Sequence, residues 1–207
     1  MYEIAVKEAF SVYPKGGLDV IKQEVKMCQK PQQPQTIEWV GEYIKSERAR
    51  WETTKFREML PMATREQKRD FKILHFGYAT FSGIFTYRNA RSLISRSPFL
   101  TLDIDNLSST KEARKVQQML IQDPNIETAL CFVSPSGLGV KWIVRLPEWV
   151  EGLPFREQFV LIRNYVGFNY GIDPDKSGSD VCRACFLPWD EECYINPKYV
   201  FNPNNII

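Results

Sequence analysis

The stretch Pro98-Phe-Leu-Thr-Leu-Asp-Ile-Asp105 decides how the chain is read. Its run of apolar and β-branched residues predicts a strand that ends on two carboxylates. Downstream, Ser109-Thr-Lys-Glu112 is a capping box. The serine accepts from the N3 amide and the glutamate reaches back. Ala113, Val116 and Leu120 then share one face of a helix to about residue 122. Thr128-Ala-Leu-Cys-Phe-Val-Ser134 is a second strand. Pro135-Ser-Gly-Leu-Gly139 turns into a third, Val140-Lys-Trp-Ile-Val-Arg-Leu146. Pro154 opens another helix, with Phe155, Phe159, Ile162 and Val166 on one face. A last strand is expected near residues 181–188. The order β-α-β-β-α-β predicts an α+β fold with a ferredoxin-like (RRM-like) core. Its antiparallel sheet carries two helices on one face and leaves the other for an active site or nucleic acid.

Working outward, residues 98–197 form this core, 198–207 a tail and 1–97 an N-terminal α/β extension packed on the core. Leu18, Ile21, Val25 and Cys28 step like one face of a helix over 17–29. Ile37, Val40, Ile44 and Trp51 predict a second helix over about 37–59, stopped by Leu60-Pro61. Residues 71–87 cluster aromatic and β-branched side chains around Gly77 and Gly83, which predicts a strand pair. Residues 88–96 read as a short helix.

The chain holds 207 residues and one histidine, His75. Zinc proteases and nucleases that need paired histidines are excluded. No window approaches a membrane span, and Met1-Tyr-Glu-Ile lacks a signal core. A cytoplasmic location follows as an expectation. Five cysteines then read as reduced thiols. Cys182 and Cys185 point to opposite faces of a predicted strand, so no zinc is expected. The net charge of +2 hides a split. Residues 1–100 carry 17 Lys+Arg against 11 Asp+Glu, and residues 101–207 carry 10 against 14. A basic region serving an acidic partner is one reading; surface drift is the other.

Three segments carry candidate chemistry. Asp103 and Asp105, at i and i+2 of a strand, point to one face. Side by side they repel unless a divalent cation such as Mg²⁺ or Mn²⁺ joins them. The second segment is Ser134-Pro-Ser136-Gly137-Leu-Gly139-Val-Lys141. Its glycines permit a backbone phosphate nest, and Lys141 can face a triphosphate. An ordinary glycine hairpin is the alternative. The third is Gly171-Ile-Asp173-Pro-Asp175, followed by Arg183. Either aspartate can complete a three-carboxylate metal site, and Arg183 can pair with phosphate.

Taken in order, these motifs resemble motifs I, II and III of the archaeo-eukaryotic primase (primase-polymerase) superfamily. The wording is most similar to VirE-type N-terminal domains of bacterial mobile-element proteins. Leu100-Thr-Leu-Asp-Ile-Asp-Asn-Leu107, the Pro-Ser-Gly-x-Gly-x-Lys turn, Asp180-Val-Cys-Arg183-Ala-Cys-Phe-Leu187 and Tyr194-Ile-Asn-Pro197 carry the resemblance, with Phe81-Ser-Gly-Ile-Phe85 and Arg88 upstream. It covers roughly residues 60–197. It implies Asp103 and Asp105 as ligands of two Mg²⁺ or Mn²⁺ ions, and Ser136, Gly137, Gly139, Lys141 and Arg183 as nucleotide contacts. The third ligand would be Asp175 or Asp173; the eight-residue spacing to Arg183 favours Asp175. Many relatives have histidine where this chain has Lys141, which titrates and hydrogen-bonds differently.

The function implied is a primase-type nucleotidyltransferase using NTP or dNTP on single-stranded DNA. Such domains often precede a helicase in a longer protein. Lys68, Arg69, Lys72, Arg88, Arg91 and Arg96 are candidate contacts to the DNA backbone. Solvated helix faces are the alternative. Two rival readings are a degenerate DNA-binding or replication-initiation module, and a template-free nucleotidyl cyclase.

Overall fold

The computed structural model describes residues 8–201. The first seven residues, and the end of the expected tail from 202 onward, lie outside the described residues. The central sheet has four strands: β7 (Phe99–Ile104), β8 (Thr128–Val133), β9 (Val140–Arg145) and β11 (Tyr194–Ile195). Their spatial order is β11-β8-β9-β7, all pairs antiparallel. The remaining strands are short. They are β1 (Ser11–Tyr13), β2 (Gly17–Asp19), β3 (Glu24–Lys26), β4 (Tyr78–Thr80), β5 (Gly83–Phe85), β6 (Leu93–Arg96) and β10 (Cys185–Phe186). The helices are α1 (Ile37–Lys45), α2 (Arg50–Met59), α3 (Arg65–His75), α4 (Thr110–Ile121) and α5 (Phe155–Tyr170). The chain is therefore α+β.

Period-two alternation divides the central sheet between two cores. Leu100, Leu102 and Ile104 of β7, with Val140, Trp142 and Val144 of β9, face α4 and α5. Ala113 and Leu120 of α4 and Phe159, Ile162 and Val166 of α5 meet them there. Phe99, Leu130, Phe132 and Ile143 face the opposite way. They pack with Ile37, Val40 and Ile44 of α1 and with Phe10, Val12, Ala79 and Phe81. Each fully buried apolar side chain contributes roughly 1.5–3 kcal/mol, so this second core binds the N-terminal extension firmly to the sheet. The expectation of a free sheet face is corrected: the extension covers most of it. Only the end carrying Asp103 and Lys141 opens to solvent.

The fourth strand is also corrected. The segment near 181–188 yields only β10, which pairs with β4 in the small sheet β1-β4-β10. The fourth place in the central sheet falls to β11, against β8. The free edge of β7 instead meets the 173–180 loop, where the Asp175 amide donates to the Asp103 carbonyl at 2.8 Å.

Upstream, residues 17–29 form a β2–β3 hairpin and not a helix. Leu18 pairs across it with Val25, so the spacing that mimicked a helix is a cross-strand contact. The helix expected over 37–59 is two helices. Ser46, extended at φ −68° and ψ 153°, breaks them and donates its hydroxyl to the Tyr43 carbonyl. β4 and β5 do not pair with each other; β5 pairs with β6. The helix expected over 88–96 is a 3-10 turn, Ala90–Ser92, leading into β6. Thr64 and Gln67 form a full capping box at the start of α3. At α4 the Ser109 hydroxyl accepts from the Glu112 amide as expected, but Glu112 reaches back to Ser108. No helix of the described residues is long and apolar enough to cross a membrane.

One buried carboxylate ties the layers together. Asp190, 2% exposed, accepts from the Val133 amide at 2.7 Å and from both terminal nitrogens of Arg114. Asp190→Ala leaves the β8 amide without its acceptor and strips Arg114 of its buried carboxylate, with only Gln117 and the exposed Glu192 left to it. The expected loss is about 3 kcal/mol of unfolding free energy, read from the midpoint of a denaturant titration.

Candidate active site

The backbone of β7 sets the site. Asp103 is the last inward residue on the N-terminal-extension side, and Asp105 follows it just past the strand end. Asn106, at φ 63°, then turns the chain away; asparagine tolerates this left-handed conformation better than most residues. Across the ladder Asp103 lies opposite Lys141 of β9. The two side chains form an ion pair, and both residues are over nine-tenths buried. Lys141 Nζ is also 3.9 Å from Asp105 Oδ1. Burial alone would lower the lysine's pKa, but the Asp103 and Asp105 carboxylates outweigh it and raise it. Burial pushes the Asp105 carboxyl up; Lys141 pulls it back in part, while Asp103 adds to the rise.

The turn before β9 makes this approach possible. A Cβ on Gly139 would lie 2.5 Å from the Ile104 carbonyl and 3.1 Å from Asp105 Oδ1. Any larger residue would push the turn off the end of β7. Gly137 sits at φ 77°. Its amide donates to the Ser134 carbonyl at 2.9 Å, and the Leu138 amide donates to Ser136 Oγ at 3.2 Å. Those two amides are thus committed within the turn. What the turn presents to the cleft is Ser134, Pro135 and Ser136. Arg57 of α2 holds it from outside, donating to the Pro135 carbonyl at 3.2 Å.

Asp175 arrives from the α5–β10 loop. It caps the 3-10 turn Lys176–Ser179, accepting from the Ser177 amide at 3.0 Å and the Ser177 hydroxyl at 2.7 Å. Burial raises its pKa, but the Ser177 bonds and the Arg183 guanidinium 3.3 Å away win and lower it. Ligand oxygens of Asp103, Asp105 and Asp175 all lie within 4.8 Å of one another. Asp173 does not join them. It is 74% exposed at its side chain and pairs with Arg163 of α5, which also donates to the Pro174 carbonyl. Of the two candidates for the third carboxylate, the geometry selects Asp175. Asp103 Oδ1 is the oxygen that Lys141 Nζ faces. Three converging hard oxygen donors, one of them shared with a lysine, fit a divalent cation such as Mg²⁺ or Mn²⁺ that would displace the ammonium.

The comparisons with known proteins bear on this same region. Residues 73–195 match the family described as BT4734-like, N-terminal domain. The chain belongs to this family. No curated protein and no solved structure matches it. In this BT4734-like domain the match spans Asp103, Asp105, Lys141, Asp175 and Arg183, begins within α3 and ends inside the Tyr194–Pro197 motif.

A cleft of about 610 Å³ opens over the carboxylates. Arg65, Lys68, Arg69 and Lys72 line one wall, spaced i, i+3, i+4 and i+7 along α3. Arg88 and Arg183 also face it, as do Phe56, Leu60 and Phe186. Of the basic residues picked out in the sequence, Lys68, Arg69, Lys72 and Arg88 thus line the cleft. Arg91 and Arg96 do not: Arg91 is exposed elsewhere, and the Arg96 guanidinium stacks 4.2 Å from the Phe155 ring. Arg57 and Asp180 were missed as site residues. Arg57 sits 78 residues from the turn it holds, and no local pattern announces such a contact. The cysteine readings also have places. Cys185 is buried behind Lys141 and its thiol is pushed up to about 12, chiefly by burial. Cys182 lies before β10, in a turn, donating to Asp180 Oδ1. His75 stacks on Phe71 at the end of α3.

The strained carboxylate gives a pH-dependent prediction. A carboxyl whose folded pKa is raised costs stability once ionised, and costs nothing below its unfolded pKa of about 4. Asp105→Asn should therefore raise the melting temperature at pH 7 by a few degrees. The gain should shrink toward zero as pH falls to about 4. Thermal melts across that window check it.

Proposed function

We propose that the cleft is the active site of a primase-type nucleotidyltransferase, a VirE-type member of the primase-polymerase superfamily. The observation that carries the reading is the meeting of Asp103, Asp105 and Asp175 at the floor of a cleft walled by cations. Carboxylates alone occur on many surfaces; carboxylates under a basic wall suit a phosphorylated substrate. The β-α-β-β-α run with α4 and α5 on one sheet face supports an RRM-like core. The place of β11 beside β8 departs from the usual strand order.

In this reading Asp103, Asp105 and Asp175 hold two Mg²⁺ or Mn²⁺ ions. Bound there, the ions would make a 3′-hydroxyl more acidic and neutralise a leaving pyrophosphate. The chain's own groups do the rest. Ser136, Lys141 and Arg183 orient the NTP or dNTP phosphates, with Gly137 and Gly139 shaping the turn. Lys68, Arg69 and Arg88 grip the backbone of a single-stranded DNA template. Phe186 and Phe56 offer apolar surface at the cleft wall. A helicase domain or partner fits the mobile-element context of the resemblance, and a cytoplasmic location fits its nucleotide supply.

One observation favours a second reading. Lys141 already neutralises Asp103 across the β7–β9 ladder. A cleft content with its own lysine would serve as a non-catalytic DNA-binding module.

Strand extension separates the two. The full chain is incubated with labelled NTPs or dNTPs, Mn²⁺ and primed or unprimed single-stranded DNA. Template-dependent product is expected. Asp103→Ala/Asp105→Ala should reduce it by at least about 100-fold. Asp173→Asn should change it less than about twofold, since an exposed ion pair contributes little. DNA binding without product in the wild type would overturn the first reading for the second.

A further inference from the structure

We propose that the cleft binds a polyphosphate without any divalent ion, and that Lys72 of α3 is the residue that holds it. The proposal deepens the nucleotide reading of the cleft, but does not depend on catalysis.

Charge comes first. Seven cationic side chains and three carboxylates line the cleft, and Asp175 adds a fourth nearby. The excess is positive, so an anion is the species that relieves it. The cations are not equivalent. Lys141 is committed to Asp103, and Arg183 is 3.3 Å from Asp175. Lys72 has no carboxylate within ion-pairing range among the described residues. Yet it is half-buried, with Nζ 5.5 Å from the centroid of the Phe186 ring. It lines the same cleft as Lys141, Asp105, Asp103 and Arg183, so their charges act on it through the cleft. A partly desolvated ammonium without a counter-ion is costly, and a bound anion removes that cost. Burial accordingly lowers its pKa.

Shape narrows the anion. Lys72 and Arg183 stand on different elements above the same carboxylates, with Ser136 on the turn beside them. A single phosphate would satisfy one cation. A chain of two or three phosphates can reach several in one cleft. The carboxylates would repel it if they were free, but Lys141 and Arg183 already neutralise Asp103 and Asp175 in part. The polyphosphate therefore has a place to sit before a metal arrives.

Calorimetric titration of inorganic triphosphate into the full chain, in EDTA, tests this. The wild type should bind. Lys72→Met should weaken binding at least about tenfold, and Lys72→Arg should keep it within about threefold. Arg91→Met, exposed and outside the cleft lining, should change it less than about threefold. Melting curves accompany each variant, and Lys72→Gln serves as a second neutral variant if Lys72→Met melts early. Equal binding by the neutral variants overturns the role of Lys72. Binding that appears only when Mn²⁺ replaces EDTA overturns the metal-independent site, whether or not the chain extends primers. Binding in EDTA by a chain that extends nothing upholds this site and removes the nucleotidyltransferase reading alone.

Discussion

Asp103 stands directly across from Lys141 in the β7–β9 ladder, and that register governs both cores and the cleft. The side-chain period of a strand is two, so a one-residue slip would turn every residue of β7 to the wrong face. Leu100, Leu102 and Ile104 would leave the α4–α5 core, and Asp103 would enter it. The penalty for burying an unpaired carboxylate among apolar side chains is several kcal/mol. The ion pair thus serves as a lock on register as well as a feature of the site. Opposite charges placed directly across a ladder favour that pairing over its neighbours. Gly139 completes the lock, because only a residue without a Cβ lets the turn close over the Ile104 carbonyl.

The C-terminal half was largely legible because its signals are local. Each strand of residues 99–145 is six residues long and bounded by Gly, Pro or a capping serine. Both helices begin at recognisable residues, Ser109 and Pro154. The N-terminal half was misread because its strands are three or four residues long. At that length period-two and period-3.6 patterns overlap, and Leu18 with Val25 satisfies either. The box at Thr64 and Gln67 was readable by the same rule as Ser109 and Glu112. The basic run beside it reads as DNA-backbone contacts or as a solvated helix face; the structure gives it as the helix α3, with its basic side chains along one wall of the cleft.

The site was legible in its residues more than in its arrangement. Asp103, Asp105, Lys141 and Arg183 follow from strand and turn chemistry. The contest between Asp173 and Asp175 could not be decided in one dimension. Arg163, on the far side of Gly171, takes Asp173, and the amide of Asp175 is tied to Asp103 by a bond between distant segments. Nor could sequence reveal that Lys141 would rest on Asp103. Two residues 38 positions apart meet only because the hairpin register brings them level.

The charge split of the chain finds its physical meaning in the same place. The basic excess of residues 1–100 is concentrated on one face of α3, and the carboxylates it overlooks come from residues 103, 105 and 175. Four cations within three turns of one helix repel each other, and within α3 only Arg69 has a carboxylate partner, Asp70 at 3.6 Å. The helix is held by its opposite side: Phe71 and Phe76 pack against Phe56 of α2, with ring centroids 5.5 and 6.0 Å away. Apolar packing on one side therefore supports electrostatic strain on the other. Such strain persists where an anion relieves it in use. It follows that the extension is half of the cleft: the end of β7 and the loop carrying Asp175 supply the carboxylates, and α3 supplies the basic wall that the proposed phosphate ligand would meet.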